Sequence, residues 1–77
     1  MKEKVLEILN ELHPEFDFTE KGIDFIEQGM LDSFDIVTLI SDFEDQLGIQ
    51  VAGSEVLPEN FANLGNIVKL LERSKKI

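Results

Sequence analysis

At 77 residues the chain has room for one small hydrophobic core, so 1–77 is expected to form a single domain. Its 16 acidic residues against 7 basic ones give a net charge of −9, a field that repels nucleic-acid phosphates and anionic membranes and attracts basic protein surfaces. The absence of cysteine excludes a disulfide framework, a thiolate metal site and a cysteine nucleophile, and no stretch approaches the roughly 18 apolar residues of a membrane span.

Met1-Lys2-Glu3-Lys4 leads straight into a charged amphipathic segment with no secretory signal, which gives the expectation of a cytoplasmic protein. Val5, Ile8, Leu9 and Leu12 recur at helical spacing and predict a first helix over about Lys2 to Leu12, stopped by Pro14. His13, the lone histidine, stands at that stop, where a cation or donor suits the terminal carbonyls. From Pro14 to Leu31 no regular period holds. Phe16, Phe18, Ile23, Phe25 and Ile26 are expected to pin this long loop to the core.

Gly29 breaks the chain, and Asp32 with Asp35 three residues on fits a helix-capping arrangement. With Asp32 as N-cap, Ser33 becomes the first residue of a second helix running to about Leu47 and ending at Gly48. Ile36, Leu39, Ile40, Phe43 and Leu47 form its buried stripe. Ile49-Gln50-Val51 alternates like a strand but is expected to be an unpaired extended connector, because three residues alone cannot make a sheet. Ala52-Gly53-Ser54 reads as a turn, and Pro58 opens a single helical turn through Phe61. Asn63 caps a last helix carrying Leu64, Ile67, Val68 and Leu71 on one face, with Lys69, Arg73, Lys75 and Lys76 toward its C-terminus. The expected architecture is all-α, a small four-helix bundle of three main helices plus one short helix.

The Ser33 hydroxyl points outward at a helix start, where a phosphate ester would lie in a favourable field. Phe34, Val37 and Ser41 follow one another on a strip beside the core stripe, with Asp35, Asp42, Glu44 and Asp45 around them. That composition suits a docking face for a basic partner, the aromatic anchoring and the carboxylates orienting. No glycine-rich elbow surrounds Ser33, which disfavours a hydrolase built on Ser33 and His13. The alternating acidic pattern of a calcium loop is missing as well, so neither a catalytic site nor a metal site is expected.

Gly29-Met30-Leu31-Asp32-Ser33-Phe34, opening an acidic helix in a chain of this length, resembles the attachment site of the acyl carrier protein family. The resemblance spans nearly the whole chain. It implies a carrier bundle with no catalytic residues, in which Ser33 bears 4′-phosphopantetheine from coenzyme A and the terminal thiol holds an acyl or aminoacyl group as a thioester. Asp32 would then assist the phosphopantetheinyl transferase, commonly through its magnesium ion. Further implied partners are an acyl- or aminoacyl-loading ligase and downstream acyltransferases or synthases with basic docking patches, meeting a monomeric carrier. Phe61 would border the partner-facing surface, a core position being equally open to it.

Two subclasses compete. Gly29-x-Leu31-Asp32-Ser33 is similar to the Gly-Leu-Leu-Asp-Ser pattern of D-alanyl carriers, whereas carriers of fatty acid biosynthesis usually show Gly-Ala-Asp-Ser. Phe34-Asp35, however, departs from the Met-Gly that often follows the serine in D-alanyl carriers. The cargo stays open. Burying an alkyl chain would gain about 0.8 kcal/mol per methylene, and Ile36, Leu39, Ile40, Phe61 and Ile67 either line such a space or simply fill it. The alternative from another class is an unmodified acidic adapter that binds basic protein helices through the second helix.

Overall fold

The computed structural model describes residues 1–77. Three α-helices carry the architecture: α1 (Lys2–Leu12), α2 (Ser33–Leu47) and α3 (Leu64–Glu72). Two short 3₁₀ turns, Gly53–Glu55 and Pro58–Phe61, bridge α2 to α3; the second is the expected short helix, wound more tightly than an α-helix. Each helix turns one apolar face inward. Val5, Ile8 and Leu9 from α1 meet Ile36, Leu39 and Phe43 from α2 and Ile67, Leu70 and Leu71 from α3 in one cluster of 16 buried residues.

The long loop between α1 and α2 is held by its aromatics, as the sequence implied. Phe16 meets Phe18 edge-on at 6.2 Å, and Phe18 meets Phe25 edge-on at 5.0 Å, the T-shaped geometry that aromatic quadrupoles favour. Phe18 and Phe25 are fully enclosed. Phe25 also fixes the backbone: its N–H donates to the Ala62 carbonyl at 2.6 Å, and its own carbonyl accepts from Met30 at 2.8 Å and Leu31 at 3.1 Å. That reversal passes through Gly29 at φ 72°, a left-handed conformation open to glycine at no steric cost. The loop therefore delivers Asp32 and Ser33 from a braced turn.

One expectation is overturned. Ile49–Gln50 is a strand, β1, because the C-terminal tail supplies its partner: Lys75–Lys76 (β2) runs antiparallel, Ile49 opposite Lys76 and Gln50 opposite Lys75. The Ile77 N–H extends the clip by donating to the Gly48 carbonyl at 2.7 Å. Lys75 and Lys76 accordingly lie beyond α3 rather than in its last turn. Lys76 still reaches the helix end from the strand, its Nζ donating to the Leu71 carbonyl at 2.8 Å. The clip closes directly behind Gly48, whose left-handed conformation (φ 64°) ends α2.

Replacing Phe25 by alanine empties an enclosed aromatic site and is expected to cost about 3–5 kcal/mol, read as a lower urea midpoint. Phe34→Ala, at a side chain 82% exposed, should move the same midpoint by no more than about 0.5 kcal/mol.

Candidate functional site

The first turn of any α-helix leaves N–H groups without intrahelical acceptors. Here Asp32, in extended conformation, and Asp35 satisfy two of them reciprocally. Asp32 Oδ1 accepts from the Asp35 N–H at 2.9 Å, and Asp35 Oδ2 accepts from the Asp32 N–H at 3.1 Å, a complete capping box. Ser33 follows as the first helical residue. It is exposed, its Oγ takes part in no protein hydrogen bond, and the Ser33 and Phe34 amides meet no protein acceptor. The result is a free hydroxyl at the electropositive end of a 15-residue helix.

A further residue joins this turn that the sequence did not place there. His13 Nε2 lies 2.9 Å from Asp35 Oδ2, and its Nδ1 lies 3.3 Å from Glu15 Oε2. The ring is thus turned toward the start of α2 and away from the α1 carbonyls expected to receive it. Its only side-chain partners are carboxylates, which leaves the Ser33–His13 pair of a hydrolase unformed. The Asp35 hydrogen bond raises the His13 pKa above its usual 6.5, the nearby charges of Asp35 and Glu15 adding to it against partial desolvation. The visible signal was a histidine beside a helix-ending proline; its partner, 22 residues away, has no local signature.

The anticipated docking strip divides. Phe34 is 82% and Val37 65% exposed, and Ser41, Glu44 and Asp45 are exposed with them, Asp42 partly. Asp35 is half-buried and committed to the cap and to His13, so it is no free docking carboxylate. Phe61 is a correction: it is 0% exposed and packs in the core, because its short turn is drawn under the start of α3. Val56 and Leu57, between the two 3₁₀ turns, are exposed apolar side chains that no periodic pattern singled out.

Three helices around one core, with a long braced loop leading to a capped serine, have the design of a small carrier domain. In comparison with known families, residues 2–71 match the model described as phosphopantetheine attachment site, and the chain belongs to that family. It is therefore a non-catalytic carrier protein whose prosthetic group, phosphopantetheine, is covalently attached. Among curated relatives, a D-alanyl carrier protein of Bacillus cereus is 37% identical over 73 residues, covering 92% of this chain and 91% of its own. One from Bacillus anthracis shows the same identity and coverage. No solved structure matches the chain. No helix is long and apolar enough to cross a membrane.

Two outcomes check this geometry. Asp32→Ala should destabilise the fold by about 0.5–2 kcal/mol through the lost cap. Because the His13 pKa is raised on folding, its contribution is complete below the unfolded value near 6.5 and is lost as pH climbs through the folded value. The melting temperature should consequently fall from pH 6 to 8 in the wild type by more than in His13→Asn, followed by circular dichroism.

Proposed function

We propose that Ser33 carries the phosphopantetheine and that 1–77 works as one monomeric, cytoplasmic carrier domain for a short aminoacyl group of the D-alanyl kind. The observation that carries the assignment is the exposed Ser33 hydroxyl, free of hydrogen bonds beside two unpaired helix amides. These features fit a phosphate-linked arm, since no protein contact has to break when the ester forms and the open amides face the added charge.

In the modification, Ser33 Oγ attacks the phosphorus that bears the pantetheine in coenzyme A. The Oγ–phosphorus bond forms, the pyrophosphate bond breaks, adenosine 3′,5′-bisphosphate leaves, and the hydroxyl proton passes to a base of the transferase. Asp32 holds the nucleophile's turn through Oδ1, while its Oδ2 has no protein partner and is open to the transferase's magnesium ion. The arm, once attached, supplies a thiol that holds the cargo as a thioester. Its length raises the cargo's effective concentration in a partner's active site.

Two observations support a short cargo. Ile36, Leu39, Phe61 and Ile67 are at most 7% exposed and fill the core. Both surface grooves are lined by other residues, one along α1, the long loop and α3, the other along β1 and the tail. A group as small as an alanyl gains little from burial, at about 0.8 kcal/mol per methylene, and needs no space opened for it. The relatives named as D-alanyl carriers point the same way. Delivery to a loading ligase and to downstream acyltransferases or synthases would use Phe34, Val37 and Ser41 with Asp42, Glu44 and Asp45, in transient, salt-sensitive complexes.

The test is an intact mass after incubation with coenzyme A, magnesium and a broad-specificity phosphopantetheinyl transferase. A phosphopantetheine-sized gain that disappears in Ser33→Ala is expected; no gain on folded protein would favour the unmodified adapter. Phe34→Ala should lower the transferase's kcat/KM about tenfold, the effect of losing an aromatic anchor worth roughly 1.4 kcal/mol, with the melting temperature unchanged.

A further inference from the structure

The His13–Asp35 contact gives the start of α2 a support outside its own helix. Asp35 Oδ2 is shared: it accepts from the Asp32 N–H at 3.1 Å and faces His13 Nε2 at 2.9 Å. The imidazole is itself seated, its ring centroid 5.5 Å from that of Phe16, the first member of the aromatic series running through Phe18 to Phe25. Phe25 then accepts the Met30 and Leu31 N–H groups on the other side of the same turn. Asp32-Ser33 is therefore held from two directions, by the loop backbone and by the end of α1. Without the histidine donor, Asp35 Oδ2 would keep only the Asp32 N–H as its partner.

We propose that His13 is a positioning residue for the modification of Ser33: through Asp35 it fixes the capped turn in the one conformation that presents Oγ to the transferase. The proposal rests on Ser33 being the attachment residue. It also accounts for charge. The helix carries no lysine or arginine, and a cap made of two aspartates puts negative charge beside the position where a phosphate must arrive. A protonated His13 offsets it. The charged side chains facing the ring are Asp35 from α2 and Glu15 from the loop. Doubly protonated, the ring donates to both; neutral, it donates to one only. Since Asp35 raises the His13 pKa, the two-sided support is complete in mildly acidic solution and weakens as pH rises.

The experiment compares transferase kcat/KM, read by mass spectrometry, for wild type, His13→Gln and His13→Asn. Glutamine places an amide nitrogen near the position of Nε2, whereas asparagine reaches only as far as Nδ1. His13→Asn is expected to be about 5–10-fold slower, as for a nucleophile loosely held, and His13→Gln to stay within about twofold of wild type. Adding His13→Asn to Asp35→Asn should slow modification no further, the mark of a shared pathway. The wild-type advantage over His13→Gln should shrink between pH 6 and pH 8. A readout independent of the transferase is amide hydrogen exchange at Asp32, expected to be slow in wild type and His13→Gln and faster in His13→Asn. Equal rates in wild type and His13→Asn, or His13→Gln as slow as His13→Asn, would overturn the proposal. A wild-type mass gain that persists in Ser33→Ala would instead remove the Ser33 assignment, and this inference with it.

Discussion

The structure turns on how the open end of α2 is satisfied. A helix start concentrates unpaired donors and partial positive charge, and a small domain has little else with which to make a site that welcomes a phosphate. Asp32 and Asp35 take two donors between them and leave the Ser33 and Phe34 amides open. The cap is thus incomplete in a useful way. Were Ser33 itself the N-cap, its hydroxyl would be spent on the backbone; standing one residue later, it is released.

That arrangement demands a well-defined entry to the helix, which is the work of the long loop. An irregular segment of this length would ordinarily fluctuate, and a fluctuating turn would blur the position of Ser33. Burial of Phe18 and Phe25 turns the loop into part of the core, and the Phe25 carbonyl converts that burial into two hydrogen bonds immediately before the cap. Core packing and site geometry share one residue. A cavity made at Phe25 would consequently act on stability and on the position of Ser33 together, whereas Phe34, 82% exposed, lies outside that coupling.

What the sequence disclosed follows the range of the forces involved. The helices, the Asp32 cap, the Gly48 stop and the aromatic anchoring of the loop are recorded in residues at most a few positions apart, and all could be read directly. The β1–β2 clip has no local signature because its second strand is Lys75–Lys76, a pair with no strand-like composition, brought back only by the course of α3. Phe61, open from the sequence to either the partner-facing surface or the core, since a short 3₁₀ turn has too few residues to show which side faces inward, lies in the core. The His13–Asp35 contact spans 22 residues and is a product of tertiary packing alone.

The net charge of −9 connects these features. An acidic surface attracts basic proteins and aids solubility, but its self-repulsion also works against a domain with so small a core. Three basic groups are placed where segments must be held together: Lys76 on the end of α3, Arg73 on Glu55 at 2.6 Å and on Asn60, His13 on Asp35. No lysine or arginine lies on α2, whose exposed face carries Phe34, Val37, Glu44 and Asp45 beside Ser33, Ser41 and Gln46. These three basic residues act as internal fasteners, and α2 is fastened from outside itself, at its start by His13 and behind its end by the C-terminal tail.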